Sequence, residues 1–124
     1  MPKSIIIDKH GGPEVLKIKE VHIGEPGPDE LKITNYAIGL NYIDTYHRSG
    51  LYALKLPNGI GLEGAGKIDK VGKEVKNFSI GDNIAYASMP IGAYSEQRII
   101  PAKIAVKLPD GISYELAATL MTKG

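Results

Sequence analysis

Between Asn41 and Gly50 the chain concentrates side chains able to bind and orient a small molecule. Asn41, Asp44, Tyr46, Arg48 and Ser49 place five hydrogen-bonding groups within ten residues. A strand-to-helix junction, which the local pattern predicts here, lets such groups converge on a ligand. A plainer reading stands beside it, in which Asn41 or Asp44 only caps the helix, Arg48 is a surface cation and Tyr46 is a half-buried packing residue. Glu63, lying among glycines, is either a carboxylate of a ligand site or the partner of a nearby cation such as Arg48; the ion pair is the simpler expectation. His10, His22 and His47 are far apart, and neither H-x-x-x-H nor H-E-x-x-H occurs, so no metal-ligand spacing is present. A nucleophile elbow G-x-S-x-G is also missing, which leaves hydrolase chemistry without a footing.

Gly59-Ile-Gly61-Leu-Glu-Gly64 fits the G-x-G-x-x-G template of a pyrophosphate seat. The template holds phosphate only where a strand precedes it and a helix N-terminus follows, because the helix end supplies the N–H donors. Here Leu56-Pro57-Asn58 comes before and the strand-like Lys67–Val71 comes after. The glycines are therefore expected to allow a tight bend and close backbone packing.

The elements that must position these groups are mostly short strands. Lys3–Asp8 reads as a first strand ending at the turn cluster His10-Gly11-Gly12-Pro13, and Leu16–Lys19 alternates at period two, which predicts a second pair of strands or a hairpin. After the break at Glu25–Asp29, Leu31–Thr34 alternates again. Tyr36, Ile38 and Leu40 then shift the apolar residues to even positions, which predicts a bulge near Asn35. Tyr42, Ile43, Tyr46 and His47 recur at helical spacing and Gly50 stands where a helix stops. The segment 51–60 reads as an irregular loop with a turn at Pro57-Asn58-Gly59. Strands are expected at Gly64–Val71, Asp82–Ser88, Tyr94–Ile100 and Ile104–Leu108, the last with the cleanest alternation, and a hairpin turn at Met89–Ala93. Ser113 can cap a final helix, Tyr114–Met121, whose apolar positions 116, 117, 120 and 121 need a surface to cover them. That helix stands so near Gly124 that the chain is expected to be cut from a longer protein.

Composition narrows the function classes. The 124 residues carry 15 basic and 14 acidic side chains, a net charge of +1, so the electrostatic term that dominates nucleic-acid affinity is missing. Apolar runs such as Ile5–Ile7 are far short of the roughly 20 residues that span a bilayer, and no secretory hydrophobic segment follows Met1. Absence of cysteine removes disulfides, thiolate zinc sites and thiol nucleophiles, and makes a reducing cytoplasm the expected location. Fifteen glycines and eight prolines scattered between short apolar segments indicate many strands and turns.

Several stretches, taken in order, carry a resemblance. Lys9-His-Gly-Gly-Pro-Glu-Val-Leu16, Ala37-Ile-Gly-Leu-Asn-Tyr-Ile-Asp-Thr-Tyr46, Arg48-Ser-Gly-Leu-Tyr52, Gly61-Leu-Glu-Gly-Ala-Gly66, Val71-Gly72, Gly81-Asp82 and Gly92-Ala-Tyr94 are similar to the quinone oxidoreductases of the medium-chain dehydrogenase/reductase superfamily. The resemblance implies a mainly β chain with a few short helices, folded over residues 1–124 as a GroES-like, partly open β-barrel. It implies a Rossmann domain binding NADPH after residue 124, to which Ala117–Gly124 resembles the link. The implied reaction is hydride transfer from the nicotinamide to a quinone or similar conjugated carbonyl, in a protein that assembles as a homodimer mainly through that further domain.

The resemblance also implies the site. Where zinc-dependent alcohol dehydrogenases have a cysteine ligand this chain has Asn41, and where they have a histidine before glutamate it has Leu62-Glu63; an amide and a leucine do not hold such a metal. Without a metal, hydroxyl and amide groups must stabilise the oxygen that becomes electron-rich. Asn41, Tyr46 and Tyr52 are then the catalytic residues, and the stretch Asn41, Tyr42, Ile43, Asp44, Thr45 and Tyr46 lines the nicotinamide. A phenol is a weak acid at neutral pH, so the tyrosines act as hydrogen-bond donors. A different class of function, a stand-alone binding or assembly module, is open to a GroES-like barrel. It calls for a mobile apolar loop, for which the chain offers only Met89–Ala93.

Overall fold

The computed structural model describes residues 2–51 and 55–120. Its strands are β1 (Lys3–Ile7), β2 (Lys17–Glu20), β3 (Glu30–Gly39), β4 (Asn58–Gly59), β5 (Glu63–Val71), β6 (Asn83–Ala87), β7 (Gln97–Pro101) and β8 (Ala105–Lys107). Two helices join them, α1 (Tyr42–Ser49) and α2 (Tyr114–Leu120). Among the described residues the strands form two antiparallel sheets, ordered β2-β1-β4 and β7-β3-β5-β6-β8. This is a mostly β, unclosed arrangement, as the residue pattern and the resemblance both led one to expect.

Strand β3 is the spine. Its odd residues Leu31 and Ile33 are fully buried with Ile68, Ile84, Tyr86 and Ile100 in the main core; each such side chain contributes about 1.5–3 kcal/mol relative to exposure. The register with β5 slips between Asn35 and Ala37, where the phase change predicts a bulge, and again between Lys32 and Ile33, which no pattern announced. Beyond the bulge the packing changes character. Ala65 and Ala85 of the sheet meet Ala117 and Ala118 of α2, and these small side chains let the helix lie close. Ser113 does cap α2, its Oγ accepting the Leu116 N–H at 3.1 Å. Of the positions expected to be covered, Ala117 is buried but Leu116 is 47% exposed, and Ala118 is buried beside Ala117 instead.

Two further expectations are corrected, and the last expected strand is found but is shorter. Asn58 and Gly59 do not merely turn but pair with Ile7 and Ile6, adding β4 to the edge of the small sheet. Met89–Ala93 is not a hairpin turn, because β6 pairs with β5 and β8 while β7 pairs with β3. The segment is a crossover, held by Gly92 and Ala93 N–H groups donating to Gly61 O and by Arg98 Nη2 donating to the carbonyls of Pro90 and Ile91. The alternation Ile104, Val106, Leu108 marks only a three-residue strand, with Val106 51% exposed. Ile104 packs against the main core and Leu108 against the alanine cluster, which leaves only Val106 between them uncovered.

Candidate active site

Asn41 is separated from the end of β3 by Leu40 and stands at the N-terminus of α1 in extended conformation. Its backbone N–H donates to Asp44 Oδ2 at 3.1 Å and its carbonyl accepts the Asp44 N–H at 3.0 Å. This reciprocal closure satisfies donors that a helix start leaves open. At the other end Gly50 adopts φ 92°, and its N–H reaches Tyr46 O at 3.1 Å, the stop predicted from its type. The turn after β1 clasps this end: Arg48 Nε donates to Gly11 O at 3.2 Å, the Gly11 N–H donates to Arg48 O at 3.0 Å, and a His10 ring nitrogen lies 3.1 Å from His47 O. Helix α1 is thus fixed at both ends.

Glu63 opens β5 directly opposite Gly39 of β3. Its side chain is 1% exposed, and Oε1 lies 3.4 Å from Asn41 Nδ2. The expected ion pair with Arg48 is therefore replaced: Arg48 is turned to the Gly11 carbonyl, and the carboxylate faces the amide. Gly39 makes this possible, since a Cβ there would overlap Glu63 Oε1 and come within 2.6 Å of Ala118 O. A carboxylate only accepts, so the nitrogen end of the Asn41 amide is the one that faces Glu63.

The structure thus brings Asn41, Asp44 and Glu63 together. Tyr42, Ile43 and Thr45 lie on α1, and Tyr46 stands one turn along it, 37% exposed. Tyr52 lies outside the described residues. The glycines of the G-x-G-x-x-G stretch serve packing: Gly59 lies against Gly92 Cα, Gly61 has φ 102° under the Tyr94 ring, and Gly64 is inside β5. Among the described residues no three His, Cys, Asp or Glu side chains gather as a metal cluster. No helix among them is long and apolar enough to cross a membrane. An open apolar cleft of about 560 Å³, lined in part by Ile5, Ile18, Tyr36, Ile38 and Leu40, includes neither Asn41 nor Glu63.

One participant escaped the residue-level reading. Tyr94 OH donates to Asp44 Oδ2 at 2.6 Å across 50 residues of sequence, and only its place in the Gly92-Ala-Tyr94 motif drew notice to it. Burial, then the Asp44 bond and charge, push its phenol well above the ordinary value. Burial also raises Tyr86, whose OH donates to Asn35 Oδ1 at 2.8 Å, with the Arg98 guanidinium over its ring opposing the shift. Both groups release protons more readily in the unfolded chain. Their contribution to stability is complete below about pH 10 and is lost as pH rises toward the folded-state values. Urea unfolding midpoints are expected to fall between about pH 10 and about pH 12, and to fall less steeply in Tyr94→Phe, which removes one of the two groups.

Residues 27–110 match the alcohol dehydrogenase GroES-like domain. The chain belongs to that family. This GroES-like domain is 53% identical over 125 residues to a quinone oxidoreductase from Pseudomonas aeruginosa, covering 100% of this chain and 38% of the relative. The crystal structure of a Pseudomonas syringae quinone oxidoreductase superposes with a TM-score of 0.97 at 50% identity, over 100% of this chain and 38% of that one. An Escherichia coli quinone oxidoreductase complexed with NADPH gives 0.92 at 48% identity, over 94% and 36%. The domain therefore spans well under half the length of the curated relatives it matches.

Proposed function

We propose that this domain is the substrate-side part of an NADPH-dependent quinone oxidoreductase, transferring hydride to a quinone or similar conjugated carbonyl. The observation that carries this reading is that similarity to quinone oxidoreductases extends over the whole chain. A Rossmann domain following residue 124 would hold most of the cofactor and provide the contacts of a homodimer. The cysteine-free composition suits work in a reducing cytoplasm.

The residues present fit the nicotinamide end of such a cofactor. A carboxamide needs a donor and an acceptor, and the Asn41 side chain carries both kinds of group, its nitrogen set toward Glu63. When bound, the reduced nicotinamide supplies the hydride. Asn41 orients either the carboxamide or the carbonyl of the substrate, and the 41–46 stretch lines the ring. Tyr46, and by resemblance alone Tyr52, donate to the oxygen that gains charge; such donors contribute on the order of 3 kcal/mol each where water is excluded. Glu63 keeps the amide from rotating and stays out of the reaction.

The test is a chimera in which residues 1–124 replace the matching segment of the Pseudomonas aeruginosa relative. It is expected to oxidise NADPH in the presence of benzoquinone, while the 124-residue chain alone shows no turnover. A correctly folded chimera without quinone-dependent NADPH oxidation overturns the reading.

A further inference from the structure

The Asp44 carboxylate is 3% exposed, and both of its observed bonds go to one oxygen: Oδ2 accepts the Asn41 N–H at 3.1 Å and the Tyr94 OH at 2.6 Å. Among the described residues Oδ1 is buried without a hydrogen-bond partner. A buried carboxylate is tolerated only as far as donors satisfy it. Two donors on one oxygen therefore hold this side chain, and one of them is the backbone of the residue that carries the candidate amide.

The second donor comes from a firmly held tyrosine. The Tyr94 N–H donates to Ile60 O at 3.0 Å, and the Tyr94 carbonyl accepts the Ile5 N–H at 2.8 Å. Its ring lies over Gly61, where a Cβ would come within 2.5 Å of Cδ1. The crossover preceding it is tied to the same strand connection by Gly92 N–H donating to Gly61 O at 2.9 Å. Tyr94 thus joins the small sheet and the crossover to the first turn of α1.

We propose that Tyr94 is a positioning residue for the site: its hydroxyl fixes Asp44, and through Asp44 the backbone of Asn41, so that the amide is held where Glu63 and the ligand meet it. The catalytic part of this inference rests on the quinone reductase reading above; the mechanical part does not. Displacement of a reacting group by about 1 Å can cost on the order of a hundredfold in rate, and a single lost tether is expected to cost less than that.

Two measurements on Tyr94→Phe, which keeps the ring over Gly61 and removes only the hydroxyl, test it. In the 124-residue chain, amide hydrogen exchange at Asn41 and Asp44 is expected to quicken by about tenfold, with Leu31, Ile33 and Ile84 unchanged. In the chimera, kcat is expected to fall by about tenfold with KM for NADPH within about twofold of the unsubstituted protein. Tyr94→Phe should add nothing further in an Asp44→Ala background, because the tether is already gone. Unchanged exchange at Asn41 overturns the proposal, as does faster exchange spread evenly through the core strands, which would mark a merely structural tyrosine. Local exchange at Asn41 with a chimera inactive even before substitution supports the tether and overturns the quinone reductase reading instead. Local exchange with unchanged kcat in an active chimera overturns the claim that the tether serves the site.

Discussion

Asn41→Ala in the chimera is expected to lower kcat for quinone reduction by about a hundredfold, the cost of one well-placed polar group in a water-excluded site. Alanine removes the amide that faces Glu63 at 3.4 Å and leaves the fully buried carboxylate with one donor fewer. A second substitution separates chemistry from packing. Asn41→Asp preserves shape but sets a carboxylate against a carboxylate, and two like charges at that range disfavour joint ionisation. It is therefore expected to be at least as inactive as Asn41→Ala and less stable in urea. Steady-state kinetics together with denaturant titration check both; wild-type kcat in Asn41→Ala would remove the amide from the reaction.

The largest stability effect is expected at Gly66. It lies in β5 opposite Asn35, beside the bulge, and a Cβ there would overlap the carbonyl oxygen of Thr34 and sit within 3.0 Å of Asn35 Cα. Both obstacles are backbone of the central strand, so no rotamer change relieves them. Gly66→Ala should cost about 3 kcal/mol or more, a large part of the roughly 5–15 kcal/mol that holds a domain folded. Gly81→Ala is the control: φ is 92°, yet nothing lies within 4 Å of the added carbon. Only the left-handed backbone opposes it, and the expected loss is about 1 kcal/mol. Chemical denaturation of both variants measures the difference. Equal losses would mean that close strand contact at Gly66 contributes nothing.

Both predictions turn on contacts that sequence reading placed only in part. Local order was legible because it follows from periods and from single-residue conformational preferences. The alternation of Leu31 and Ile33, its phase change near Asn35, the helix over Tyr42–Ser49 and its arrest at Gly50 all depend on neighbours a few positions apart. The motif order that resembles quinone oxidoreductases belongs to this level too, and it pointed to Asn41 before any pairing was known.

Only the tertiary structure decided who meets whom. Asn58 and Gly59 look like a turn until β1 offers them partners, and Met89–Ala93 looks like a hairpin until β7 joins β3 instead of β6. Glu63 reaches Asn41 across 22 residues and Tyr94 reaches Asp44 across 50. The sequence by itself determined all but one of the strands, the bulge near Asn35, the helix that Gly50 stops and the kinds of groups available. The choice of Asn41 over Arg48 as Glu63's neighbour came from the sheet register that sets Gly39 beneath the carboxylate, because spacing along a chain encodes local conformation, whereas side chains remote in sequence meet only where packed strands bring them.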